Sequence, residues 1–210
     1  MSSSTEGTAP RAFLTRMRFS ALLALPFAIV CLIAAFVLTV LGAEVEWPLT
    51  LMLIPVFWVP MAVELVFRTT LPWPLQVVYL AFIVAAPFAG SAVHVYWYLP
   101  RWDFVVHFYS GIMLAWLGML FARRVEERIG AALPRWFSLT MALFTAMSFA
   151  AAWEICEYGS DSLIGTAAQH GLDDTMLDIV AGTLGGVVAI GILLVAKRPR
   201  TLAPVSLLPR

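Results

Sequence analysis

The sequence predicts an all-α protein, a polytopic membrane helix bundle of six transmembrane helices with both termini in the cytoplasm (N-in/C-in). Of its 210 residues, 61% are hydrophobic and only 12% are charged, whereas soluble domains carry roughly 25% charged residues. The mean hydropathy of +0.89 agrees with a protein of the bilayer. Six spans of about 20 residues each fit the length and leave no room for a soluble domain. The zero net charge gives no support to nucleic-acid binding, which needs a basic surface.

Six apolar segments account for the predicted helices. They cover residues 19–41, 48–67, 74–99, 102–122, 134–158 and 175–196. Pro74 and Pro134 fall at helix starts, where a missing amide proton costs little. Prolines inside the segments are tolerated where neighbours satisfy the freed carbonyls; they are Pro26, Pro55, Pro60 and Pro87.

The segments also predict the domain organisation. We expect a disordered cytoplasmic tail over residues 1–18, a transmembrane domain over 19–196 and a second cytoplasmic tail over 197–210. The start of the chain resembles a signal peptide, because arginines precede an apolar run. The run has full spanning length, however, so we expect an uncleaved first helix.

The basic residues predict the orientation. With six spans, every Lys and Arg of the chain except Arg101 falls on one side, and the positive-inside rule makes that side cytoplasmic. The expected location is therefore the inner membrane, as a multi-pass protein. On the cytoplasmic side we expect Glu126 and Glu127 to form solvated ion pairs, and Glu64 to pair with Arg68 four residues later.

Most of the remaining acidic residues gather at the opposite, outer end. Three predicted helices each carry two polar residues three or four positions apart, so that each pair shares one helix face. An ionisable group at mid-bilayer costs on the order of 3 kcal/mol, which opposes an arrangement facing lipid. We therefore expect the three pairs to converge on one outward-facing pocket. The pairs are Asp103 with His107, Glu154 with Glu157, and Asp174 with Asp178.

Converging carboxylates repel one another, so either some stay protonated or a cation binds among them. The sequence has no lysine near this end and only Arg101 at its rim. We therefore expect a divalent metal ion, Mn, Fe, Zn or Mg, held by the six residues of the three pairs, with one or two imidazoles from His107, His94 or His170. Glu154 and Glu157 are the best candidates for a catalytic role.

Simpler explanations compete at several of these positions. At Asp103 and at Asp174, capping of a helix start is as good an explanation as a shared site. Asp161 and Asp173 are expected to be loop residues that face water. His107, Glu154 and Asp178 lie about one turn inside a helix, so capping does not explain them.

Other notable residues have structural explanations. An interfacial aromatic belt explains the neighbourhood of His94, which includes Tyr96. Cys31 and Cys156 are expected to be small buried hydrophobes and not a disulfide. Small residues on the last helix are expected to allow close helix packing; they are Gly182, Gly185 and Gly186.

The residues of the outer end also form three motifs. They read Asp103-x3-His107-Phe108-x2-Gly111, Trp153-Glu154-x2-Glu157, and Gly171-Leu172-Asp173-Asp174-Thr175-Met176-x-Asp178 followed by Thr183-Leu184-Gly185. In this order they resemble the signature of the YjdF family of small bacterial inner-membrane proteins. That family is similar to the VanZ-like proteins, whose best-known member is linked to teicoplanin resistance. The resemblance covers residues 75–196 and departs at Gly182, where VanZ-like sequences often have Asn. It implies the topology and the importance of the outer cluster, and it names no reaction.

Three functions remain open. The first, which ranks highest, is a metal-binding membrane protein that acts on an envelope or lipid-linked substrate. The metal would activate water, and a glutamate that is not a metal ligand would act as the base. No His-Glu-x2-His motif supports it. In the second, the acids serve a proton- or ion-coupled transporter, although Glu64 is the only candidate on the far side and no inverted repeat is visible. In the third, a non-catalytic membrane component has a structural polar cluster. Membrane lipid is the expected partner, and the oligomeric state stays open.

Overall fold

Every regular element of the chain is helical within the residues that the computed structural model describes, 8–67, 69–99, 101–165 and 168–195. Six helical stretches are long and apolar enough to cross a membrane, which confirms the predicted fold class. These are Leu14–Val40, Trp47–Phe67, Trp73–Ala92, Trp102–Ile129, Arg135–Leu163 and Leu172–Val195. The chain packs as two compact units, one up to His94 and one from Val95 onward.

The first unit begins with a helix that is longer than expected. Its elements are α1 (Thr8–Val40), α2 (Trp47–Val56), α3 (Val59–Phe67) and α4 (Trp73–Ile83), which continues as a π-helical segment (Val84–Ala92). Residues 8–18, expected as a disordered tail, are helical, because Pro10 falls in the first turn and mostly good helix formers follow it. The rest of that tail and residues 197–210 lie outside the described residues.

Proline divides the second span into α2 and α3. Pro60 has no amide proton, and its ring crowds the carbonyl four residues earlier, that of Val56. The helix accordingly breaks between Val56 and Val59. The hydroxyl of Tyr79 on α4 donates a 2.9 Å hydrogen bond to the freed Val56 oxygen. A neighbouring helix thus satisfies the carbonyl, which is what a proline inside a bilayer requires.

Small residues on one face of α1 form the core of the first unit. Positions three and four apart share a helix face, and here that face is buried against α2, α4 and the π-helical segment. It consists of Ala24, Ala28, Cys31 and Ala35, in contact with a cluster that includes Leu53, Phe57, Leu80, Ile83, Phe88 and Ala92. Cys31 is a free, buried thiol, as predicted.

The buried Glu64 does not have the environment that its sequence neighbours predict. We expected a pair with Arg68, a residue that lies outside the described part of the chain. The carboxylate is 0% exposed and forms an ion pair with Arg16 of α1, with 3.2 Å between Nε and Oε1. It also accepts hydrogen bonds from Ser20 and Gln76. It therefore joins α1, α3 and α4 within the protein and does not reach toward water.

The second unit contains the short helix α5 (Val95–Tyr98) and three long helices, α6 (Trp102–Ile129), α7 (Arg135–Ile164) and α8 (Leu172–Val195). Gly130 and Gly165 end α6 and α7 in the left-handed conformation, with φ of 65° and 80°, which favours glycine. Cys156 is exposed and not buried as predicted. The reason is helical geometry: it lies two positions after the buried Glu154, which places it on the opposite side of α7.

Backbone-to-backbone contact holds α6 against α8. A Cβ atom on Gly111 would overlap the Gly182 carbonyl, and one on Gly185 would overlap the Phe108 carbonyl. On α7, the side chain of Ala146 would lie 2.8 Å from a Cβ on Gly186. The predicted role of the three α8 glycines in close packing is confirmed, because no larger side chain fits there.

Candidate functional site

Three of the predicted site residues meet between α6 and α8. Asp103, His107 and Asp178 each offer one ligand atom, and these atoms all lie within 4.8 Å of one another. Oδ1 of Asp103 lies 3.4 Å from Nε2 of His107. His107 and Asp178 are only 6% and 4% exposed. We call these three residues the Asp-His-Asp group.

The close packing of the two helices explains why the group forms. His107 lies one turn before Gly111 on α6, and Asp178 lies one turn before Gly182 on α8. Because the two backbones touch at this glycine pair, side chains one turn away are close enough to meet. Asp103 is one further turn along the same face of α6, which brings its carboxylate to the imidazole.

Glu154 on α7 adds a third helix to the site. Its side chain is 4% exposed, and its Oε1 has no hydrogen-bond partner among the described residues. The carboxylate is near enough to interact electrostatically with His107 and with Asp178. A buried oxygen without a partner is costly, so this atom has capacity to take a proton, a water molecule or a cation.

Glu157 and Asp174, the other two predicted ligands, have partners outside the group. Oε1 of Glu157 accepts a 2.8 Å hydrogen bond from the indole of Trp153. Asp174 lies 3.5 Å from His170, and their side chains are 35% and 48% exposed. The structure therefore separates the six predicted residues into an inner set of four and an outer set of two.

Sequence reasoning missed Tyr96 as a member of the site. Burial and the nearby carboxylates of Asp103, Glu157 and Asp178 raise the pKa of the Tyr96 phenol, so it remains protonated and donates a hydrogen bond to Asp103. Its neighbours in the predicted aromatic belt are exposed, whereas Tyr96 is half-buried. The sequence feature that could have indicated Tyr96 is its position, because α5 directly precedes the helix that carries Asp103.

Capping does not account for Asp103. The residue that caps α6 is Arg101, and no side-chain hydrogen bond caps that helix. Asp103 and Asp174 both lie in first turns of their helices, where a carboxylate is favoured by the helix dipole. The dipole and a shared site are therefore compatible at Asp103.

Two predicted loop acids belong to helices. Asp161 lies in the last turns of α7 and accepts hydrogen bonds from the backbone N–H groups of Ala168 and Gln169, at 2.8 and 2.9 Å. It therefore holds the loop that follows α7. Asp173 is exposed, as expected, but in the first turn of α8. His94, considered as a ligand, belongs to the first unit and lies 3.9 Å from Glu46.

Comparison with known proteins supports a membrane location and names no reaction. A protein of Thermotoga maritima named "Uncharacterized protein" is 24% identical over 135 residues, which is 62% of this chain and 69% of the relative. No solved structure matches the chain. Residues 23–199 match a family described as "Predicted membrane protein (DUF2238)". Since that match spans most of the 210 residues, the chain belongs to this family of membrane proteins.

Proposed function

We propose that the Asp-His-Asp group binds a divalent metal ion and that the protein uses this ion in a reaction at the membrane. The observation that carries the proposal is the meeting of two carboxylates and one imidazole from two helices within 4.8 Å. Two carboxylates this close repel each other, and burial removes the water that would screen them, unless a positive charge or shared protons are present. A divalent cation supplies that charge.

The distances in the group suit a metal ion after small movements of the side chains. Bonds from Mg, Mn or Zn to oxygen or nitrogen are about 2.0 to 2.2 Å. In an octahedral site, adjacent ligand atoms are then about 3 Å apart and opposite ones about 4.2 Å. The distance of 3.4 Å between Asp103 and His107 is close to that of adjacent ligand atoms. The largest distance allowed within the group, 4.8 Å, is slightly above that of opposite ligand atoms. Mn, Fe, Zn and Mg all accept such a ligand set.

Glu154 is the best candidate for a base beside such an ion. The role is supported by its Oε1, which is buried and has no hydrogen-bond partner within the described ranges. A bound ion would polarise a phosphoryl or carbonyl oxygen or lower the pKa of water. Glu154 would then take the proton from that water, and Tyr96, which hydrogen-bonds Asp103, would hold that carboxylate in place.

The location of the group favours a substrate of the membrane or cell envelope. The residues lie near the ends of helices with the length and hydropathy of membrane spans, which a lipid-linked molecule can reach sideways. The basic residues favour an inner-membrane protein with both termini in the cytoplasm and the group on the outer side. We also propose, from the three sequence motifs, that the chain is related to the YjdF and VanZ-like proteins.

Ion-coupled transport has weaker support. A relay needs carboxylates that can exchange protons along the path, and the sequence offers Glu64 as the candidate on the far side. That carboxylate is fully engaged by donors from α1, the α3–α4 connection and α4. Its role is therefore structural.

Elemental analysis of the protein purified in mild detergent tests the proposal. We expect about one divalent ion per chain after incubation with Mn, Fe, Zn or Mg. The variant Asp178→Asn should lose the ion, and Asp173→Asn, an exposed position five residues away, should keep it. Binding of none of the four metals would overturn the proposal and favour shared protons. Equal metal content in both variants would move the site away from Asp178.

A further inference from the structure

A second site lies at the other end of the second unit, where α6 and α8 finish and α7 begins. A pocket of about 270 Å³ opens between these helices. Its polar lining consists of two arginines, one glutamate and one serine, and the rest is apolar. The polar residues are Arg123, Arg135, Glu126 and Ser138.

Ser138 adds a hydrogen-bond donor to the pocket. Ser138 is 8% exposed and lies in the first turn of α7. Its side chain lines the pocket. A serine hydroxyl can donate one hydrogen bond, so Ser138 offers a neutral donor to a ligand oxygen in the pocket.

The charged residues add one net positive charge. Arg135 is fixed by hydrogen bonds from Nη2 to the carbonyls of Leu193 and Leu194 at 2.9 and 3.4 Å, which leaves its other donors to face a ligand. Glu126 accepts a hydrogen bond from the Leu133 amide at 2.9 Å and so offsets one of the two arginines. A phosphodiester, which carries a single negative charge, matches this balance.

We propose that this pocket binds the phosphate of an anionic phospholipid. Three observations favour a lipid over free phosphate. The pocket lies at the ends of helices that can span a membrane, where lipid phosphates lie. Its volume exceeds that of a phosphate group, and its apolar lining offers no partner to a free ion; that lining includes Met119, Leu133, Leu139 and Leu193. Basic pockets between membrane helices are known to take acidic lipid headgroups.

Native mass spectrometry of the detergent-purified protein, with added lipids, tests the proposal. Phosphatidylglycerol should bind at least about tenfold more tightly than phosphatidylcholine with the same acyl chains, because the whole headgroup must carry a negative charge to match the pocket. Equal binding of the two lipids would overturn the anionic preference. Release of phosphatidylglycerol by millimolar inorganic phosphate would identify a free-phosphate site and overturn the lipid assignment.

Variants locate the binding. Arg123→Gln should weaken phosphatidylglycerol binding about tenfold, through loss of one charge-assisted hydrogen bond. Arg128→Gln, an exposed position on the same helix outside the pocket, should change it less than about twofold. Ser138→Ala should weaken phosphatidylglycerol binding about threefold to tenfold with little effect on folding. This variant tests the proposal if Arg123→Gln fails to fold. Wild-type affinity in Ser138→Ala would overturn the proposal.

Discussion

Replacement of the buried Glu64 by glutamine should destabilise the first unit strongly, although the two side chains have nearly the same shape. The carboxylate accepts hydrogen bonds at Oε1 from Arg16 Nε, Leu71 N and Gln76 Nε2, at 3.2, 2.7 and 3.0 Å. At Oε2 it accepts one from Ser20 at 2.6 Å. Glutamine can keep an oxygen at the first position and donate to the Ser20 hydroxyl from the second. The substitution therefore removes the charge and retains the contacts.

The size of the effect follows from that difference. A hydrogen bond to a charged group contributes about 1.5 to 3 kcal/mol, against about 1 kcal/mol for a neutral one. Loss of the charge at Glu64 also leaves the guanidinium of Arg16 without its counter-ion, and breaking a buried pair costs about 3 to 5 kcal/mol. Arg16 keeps 24% exposure of its side chain, and water reduces the cost. We expect Glu64→Gln to lower the free energy of unfolding by about 2 to 3 kcal/mol.

Unfolding by sodium dodecyl sulfate in mixed micelles, followed by far-UV circular dichroism, measures this change. Glu44→Gln, at an exposed position of the same unit, is the matched control and should stay within about 0.5 kcal/mol of wild type. Glu64→Ala should cost more than Glu64→Gln, because it also leaves the surrounding donors without an acceptor. The reasoning is refuted if Glu64→Gln is as stable as the control, since a buried charge with four donors would then contribute nothing.

Three further predictions concern packing, the metal and topology. Gly185→Val should destabilise the protein by more than about 3 kcal/mol, because the valine side chain would overlap the α6 backbone. Gly191→Val, at an open position of α8, is the control. Equal melting temperatures of the two variants would argue against the close contact. Chelation should lower the melting temperature of the metal-loaded wild type, by loss of about 2.7 kcal/mol at a metal concentration of 100 Kd, and should leave Asp178→Asn unchanged. Alkaline phosphatase fused after Arg210 should be inactive, and an active fusion would contradict the cytoplasmic C-terminus.

The helical spans and the faces of single helices could be predicted from the sequence, because both depend on local properties. Hydropathy and length fix where a span can lie, and the helical repeat fixes that Asp103 and His107 share a face. The packing role of Gly182 and Gly185 was also predictable, since small residues are the means by which membrane helices approach closely. The limits of α1 were less well predicted, because its polar start continues the helix beyond the apolar run.

Contacts between helices were decided only by the tertiary structure. Spacing alone paired Glu64 with Arg68, a residue outside the described ranges, and it could not show that Arg16, 48 positions earlier, reaches the same carboxylate. Spacing likewise treated six polar residues as one set, although only some of them meet. Which side chains meet depends on the rotation and crossing of each helix, and these are set by packing at distant positions such as the contact of Gly111 with Gly182. The sequence by itself determined which face of each helix is polar, and the packing of α6 against α8 decided which of those faces form a site.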